Sequence, residues 1–91
     1  MTAERAVVIV NEKGLHVRPA SAFAQKAAPF SSRIQVVKGA QAVNGKSPIE
    51  LLMLAAVVGT KVVIRAEGDD AEKAVETLAR FVEDKFGMRD D

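Results

Sequence analysis

His16 is the only histidine in a chain that has no cysteine, and it stands in the run Gly14-Leu15-His16-Val17-Arg18-Pro19-Ala20. A β-pattern stops just before this run and a helical pattern begins inside it. His16 therefore takes the expected helix N-cap, a position that favours Ser, Thr, Asp or Asn. Pro19 falls in the first helical turn, where a missing N–H does little harm. It also pushes Arg18 away from helical backbone angles. Two local rules are bent within a few residues, as is expected at a functional site more than in scaffolding.

The chemistry open to this arrangement follows from charge. A helix N-terminus disfavours a cation, by roughly 0.3–1 kcal/mol at exposed sites. The neighbouring Arg18 repels one as well, so the neutral, nucleophilic imidazole is favoured. Once the ring accepts a phosphoryl group the sign reverses. The same helix end, with N–H groups at Val17 and Arg18, becomes an anion cradle, and the Arg18 guanidinium can pair with phosphate oxygens. Pro19 removes one donor, so the cradle is partial, which suits a carrier that has to release its phosphate. A lone histidine near a turn is more often a plain surface or hydrogen-bonded residue, and short motifs carry false positives. No local acid–base partner or Ser/His/Asp set is present. The run therefore reads as a phosphoryl relay and not as a stand-alone catalyst.

The elements that must hold His16 can be read in order. Ala6–Val10 is a continuous β-branched run and predicts a strand. Val17–Ala28 places Ala20, Phe23, Ala24 and Ala27 on one helical face, with Ser21, Gln25 and Lys26 towards water, and Pro29 ends it. Arg33–Lys38 is a second strand with Ile34 and Val36 on one face. Gly39 reverses the chain into Gln41–Val43, a short antiparallel partner suited to an edge. Asn44-Gly45-Lys46 is a turn. Ser47, Pro48 and Glu50 form a helix start with a capping box, and the helix extends to about Ala56. Lys61–Glu67 is a fourth strand with Val62, Ile64 and Ala66 facing the core. Asp69 or Asp70 caps a last helix that reaches about Phe86, with Ala71, Ala74, Val75, Leu78, Val82 and Phe86 on one face. Gly87 ends it and Met88–Asp91 reads as a frayed tail. The order β-α-β-β-α-β-α implies an α+β open sandwich with helices on one face of one sheet.

Bulk properties narrow the classes. The chain has 91 residues, which predicts one domain over 1–91. It is 48% hydrophobic and 27% charged, with a net charge of +1. A near-neutral chain whose only aromatics are four Phe argues against nucleic acid. One histidine without cysteine argues against a zinc site, and no cofactor is implied. No apolar run reaches membrane-spanning length and no signal-peptide layout is present, so a soluble cytoplasmic protein is expected. Nothing suggests obligate oligomers, and a monomer is expected.

These residues resemble the HPr family, the histidine-containing phosphocarriers of the bacterial phosphoenolpyruvate-dependent phosphotransferase system. Gly14–Ala20 is similar to the family's active-site signature. Asn44-Gly45-Lys46-Ser47, followed by Leu51-Leu52-Met53-Leu54, is similar to its regulatory serine segment. Gly59-Thr60 and Ala66-Glu67-Gly68 also match, so the resemblance covers nearly the whole chain. It implies an open-faced sandwich with a four-stranded antiparallel sheet and three helices. It also implies that His16 is phosphorylated on Nδ1 by phosphorylated enzyme I, that Arg18 orients the phosphate, and that the group passes to an enzyme IIA domain.

The resemblance further implies that the helix starting at Ser47 lies near the active centre and docks partners, with Lys46, Pro48, Ile49, Leu52 and Met53 as the docking residues. A Leu/Met-rich helix is more often buried. Here Leu51 and Leu54 are expected inward, and Ile49, Leu52 and part of Met53 outward. Lys13, Lys26 and Lys46 are candidates to ring the site and steer acidic partners. The serine matching Ser47 is, in some lineages, phosphorylated by an HPr kinase/phosphorylase, lowering carrier activity; as a plain cap it would contribute roughly 0.5–2 kcal/mol. Pro48 and Glu50 depart from the family's aliphatic residue and glycine, and Glu50 would repel a phosphate on Ser47. Sugar-uptake and nitrogen-linked branches use similar carriers. A regulatory binding protein acting through the 47–56 surface is the competing reading.

Overall fold

A computed structural model of the protein describes residues 1–88, so most of the expected tail lies outside the described residues. Four strands form one antiparallel sheet: β1 (Thr2–Val8), β2 (Arg33–Lys38), β3 (Gln41–Asn44) and β4 (Lys61–Glu67), ordered β1-β4-β2-β3. The helices α1 (Val17–Ala27), α2 (Pro48–Met53) and α3 (Ala71–Glu83) cover one face. Alternation explains this layering. Ile34, Val36, Val62, Ile64 and Ala66 point to the helices and are buried. On the other face Glu4 pairs with Arg65 at 2.8 Å. Phe23, Leu51, Leu54, Leu78 and Val82 close the core from the helical side. Among the described residues no helix is long and apolar enough to cross a membrane.

The expected bounds of β2 and β4 agree with those observed, and β3 extends the expected edge strand by Asn44. Three expectations need correction. β1 starts at Thr2 and stops at Val8, not over 6–10, because its ladder with β4 runs from Thr2↔Glu67 to Val8↔Lys61. Backbone pairing, not apolar character, sets that start. α2 ends at Met53 and not near Ala56. Leu54 caps it, and Ala55 then takes a left-handed φ of 50°, the usual helix-stopping geometry but without the usual glycine. α3 ends at Glu83 and not near Phe86. Lys85 and Phe86 turn left-handed, at φ 55° and 56°, and the turn buries Phe86 edge-on against Phe81 with ring centroids 5.9 Å apart.

Asp70 is the N-cap of α3, but its carboxylate does not bond the helix. It accepts the backbone N–H groups of Ser31 and Ser32, each at 2.9 Å, and the Ser32 hydroxyl. The start of α3 is thereby tied to the start of β2. Those bonds, the Ser32 hydroxyl foremost, favour the anion and lower the Asp70 carboxyl to about 2.

Candidate functional site

The site begins with a turn that the sequence disguises as the flank of a strand. Gly14 N–H donates to the Asn11 carbonyl at 3.1 Å. The Asn11 side-chain amide, fully buried, donates back to the Gly14 carbonyl at 2.7 Å. The same carbonyl also accepts the backbone N–H of His16 at 3.0 Å. One oxygen therefore fixes both the turn and the residue that enters the helix. Gly14 has φ +69°, and a Cβ there would lie 2.5 Å from the Ala56 carbonyl oxygen. Only glycine fits both demands.

His16 follows as the N-cap of α1, with extended backbone angles (φ −93°, ψ −166°) and a half-buried side chain. Its carbonyl accepts Ala20 N–H at 3.0 Å, the first bond of the helix. The N–H groups of Val17 and Arg18 consequently stand outside the helical ladder. Pro19 is the third helical residue, buried, and contributes no donor. Val17 and Arg18 are exposed. The helix end, the exposed cation and the imidazole lie within three consecutive residues, which is the layout an anion on the ring would need.

The backing of this loop comes from the far side of α2. Leu15 N–H donates to Ala56 O at 2.8 Å, and Gly14 packs on Ala56 and Val57. The left-handed Ala55 turns the chain from α2 into this contact. At the other end of α2, Lys46 Nζ donates to Phe30 O at 2.6 Å, beyond the C-terminus of α1. The two helices therefore run antiparallel. The start of α2 lies toward the C-terminal end of α1, and its other end toward the Gly14–His16 loop. Lys46 does not ring His16. Lys26 does not either: near the end of α1, it sits over the Phe81 ring at 5.5 Å. Lys13 is exposed in the loop before Gly14.

Ser47 caps α2, accepting Glu50 N–H at 3.3 Å, with Pro48 at the first helical position. The reciprocal half of the expected capping box is replaced: Glu50 Oε1 reaches Asn44 N–H at 3.0 Å, while Ser47 N–H bonds Asn44 O. Leu51 and Leu54 are 1% exposed, whereas Ile49 is 75% and Met53 64% exposed. Pro48 is exposed and Leu52 lies just inside the exposed class at 37%. Sequence reasoning missed Asn11, Gly14 as a packing residue, and the 55–57 segment. The one signal available for them was a polar residue directly after an apolar run and three before a glycine.

Residues 3–84 match the family described as the PTS HPr component phosphorylation site. Phosphocarrier protein HPr of Neisseria meningitidis is 37% identical over 84 residues, covering 92% of this chain and 94% of its own. HPr-like protein Crh of Bacillus subtilis is 40% identical over 72 residues, covering 79% and 85%. The crystal structure of HPr-C-His from Thermoanaerobacter tengcongensis superposes with a TM-score of 0.90 at 42% identity, covering 96% of this chain and 98% of that one. With a whole-chain match in sequence and in sheet-and-helix layout, and a helix-capping histidine beside Arg18, the chain belongs to the HPr family of phosphocarrier proteins of the phosphotransferase system.

Proposed function

We propose that the chain, acting as a single domain over 1–91, accepts a phosphoryl group on His16 Nδ1 from phosphorylated enzyme I and passes it to enzyme IIA domains. The observation that carries this reading is His16 at the N-cap of α1, with two ladder-free N–H groups and Arg18 directly after it. In the step, the donor P–N bond breaks as the His16 N–P bond forms, and no water takes part. The N–H groups of Val17 and Arg18 and the Arg18 guanidinium stabilise the phosphate charge that arrives. The protein is a carrier, working as a monomer in the cytoplasm, without cofactor or metal. Its partners are proteins, neither nucleic acid nor membrane.

Ile49, Leu52 and Met53, with Pro48 beside them, form the docking face; their exposure supports this. Lys46, with its ammonium bonded to Phe30 O, serves that face at its edge. Ser47 is the regulatory site, open to an HPr kinase/phosphorylase, with Glu50 opposing the added charge. A second reading, a regulatory binding protein acting through 47–56, draws on the exposed Ile49 and on the likeness to HPr-like protein Crh. Mixing the protein with enzyme I, magnesium and phosphoenolpyruvate and measuring intact mass decides between the two. The carrier reading expects one acid-labile phosphoryl group, absent from His16→Ala. No mass increase would overturn it.

A further inference from the structure

We infer that Asn11 is a positioning residue for His16, holding the reactive histidine's backbone in register through the shared Gly14 carbonyl. This rests on the phosphocarrier reading for its kinetic consequence, though not for its geometry. Asn11 is 0% exposed, and burying an amide is unfavourable unless its groups are bonded. A buried amide so close to the surface of a small domain calls for a task. Its side chain commits a donor to Gly14 O at 2.7 Å, and that oxygen also holds the His16 N–H at 3.0 Å.

Backbone contacts pin the loop as well. Ile9 exchanges backbone bonds with the 59–60 segment, Leu15 N–H is bonded to Ala56 O, and Gly14 fills its space against Ala56 and Val57. The peptide between Gly14 and Leu15 is gripped at both ends, its N–H by Ala56 O and its carbonyl by the Asn11 amide, and a rotation there would swing both the Gly14 carbonyl and the entry into His16. Asn11 is the side chain that, together with the Leu15 N–H bond to Ala56 O, fixes that rotation. Two donors converging on one acceptor fix its direction better than one, and small displacements at a reacting group are costly: about 1 Å can cost on the order of 100-fold in rate. The docking face on α2 is untouched by this bond, so the effect belongs to the transfer step and not to partner binding.

The test compares Asn11→Ala and Asn11→Asp with the full-length wild type and with Leu78→Val, a remote core change in α3. Asn11→Asp keeps the shape and removes the donor. With enzyme I as catalyst and the protein as its substrate, kcat is expected to fall about 10- to 100-fold with KM unchanged in both Asn11 variants. Nitrogen-15 spectra without any partner should show the His16 backbone amide and ring resonances displaced in those variants and in place in Leu78→Val. Should Asn11→Ala not fold, Asn11→Ser, whose hydroxyl ends one atom short of the amide nitrogen, is read in the same way. A folded Asn11 variant with kcat within twofold of wild type, a loss matched by Leu78→Val, or unmoved His16 resonances would overturn the inference. If enzyme I leaves the wild type unmodified, it is the phosphocarrier reading that fails, and the resonance comparison alone then decides the role of Asn11.

Discussion

Replacing Gly14 by alanine should separate the cost of a strained turn from the cost of a displaced active-site loop. Two terms act at this position. The left-handed φ of +69° disfavours a residue with a Cβ by roughly 1–2 kcal/mol. The added methyl would also sit 2.5 Å from Ala56 O and 2.9 Å from Val57 Cα. Both are backbone atoms with no rotamer to change, and overpacking of this kind costs roughly 1–3 kcal/mol. Gly39 is the internal control, since its φ is +58° and nothing lies within 4 Å of the place a Cβ would occupy. Gly39→Ala should therefore show the first term alone. Against a total stability of about 5–15 kcal/mol, both variants remain folded. Urea unfolding at neutral pH should rank Gly14→Ala below Gly39→Ala by about 1–3 kcal/mol. Phosphoryl acceptance by the folded protein should drop about tenfold or more in Gly14→Ala alone, because the shift needed to relieve the contact lies two residues from His16. Equal destabilisation of the two variants, or an undiminished transfer rate in Gly14→Ala, would refute the packing argument.

Arg18→Ala should slow transfer while leaving the circular dichroism and melting curve in place, since the side chain is exposed; an unchanged rate would remove Arg18 from the site. Leu51→Ala should cost about 2–5 kcal/mol in denaturant unfolding, and Leu52→Ala far less, because the first is 1% and the second 37% exposed; similar losses would contradict the inward and outward sides of α2. Asp70, lowered from 3.8 to about 2 by the Ser32 hydroxyl and the Ser31 and Ser32 amides, stabilises the fold above its ordinary value and loses that contribution as pH falls from about 4 towards 2. An acid titration of stability should be shallower in that window for Asp70→Asn, and an unaltered slope would show that the carboxylate is not the group responsible.

Much of this protein is legible from local pattern, and its misreadings have a common physical origin. β2 and β4 alternate cleanly between core and solvent, so their bounds can be read residue by residue. β1 cannot, because Thr2–Arg5 join the sheet through pairing to β4, which no local pattern records. α2 reads too long because apolar character continues past Leu54, while the left-handed Ala55 that stops it has no glycine to announce it. His16 and Arg18 stand out because they break capping and pre-proline rules where they sit. Asn11 breaks no rule, since its burial and its bond to Gly14 depend on the loop closing over it. The placement of Ser47 relative to His16 is hidden from the sequence for a related reason. Composition reveals a second helix start but not the direction in which that helix runs along the first.

That antiparallel course has an electrostatic consequence. A charge added at Ser47 would lie at the end of α2 away from the Gly14–His16 loop, and the six residues of α2 alone rise about 9 Å. Mobile ions damp fields over about 8 Å at physiological ionic strength. Over a separation of that order, much of the field of a phosphate on Ser47 would be damped before reaching His16 through solvent. A modification there would bear mainly on which protein surfaces approach α2, and less on the reactivity of the nucleophile. The helix start at Ser47 and the histidine are thus set apart by α2, so that a change of charge at one would leave the other largely undisturbed.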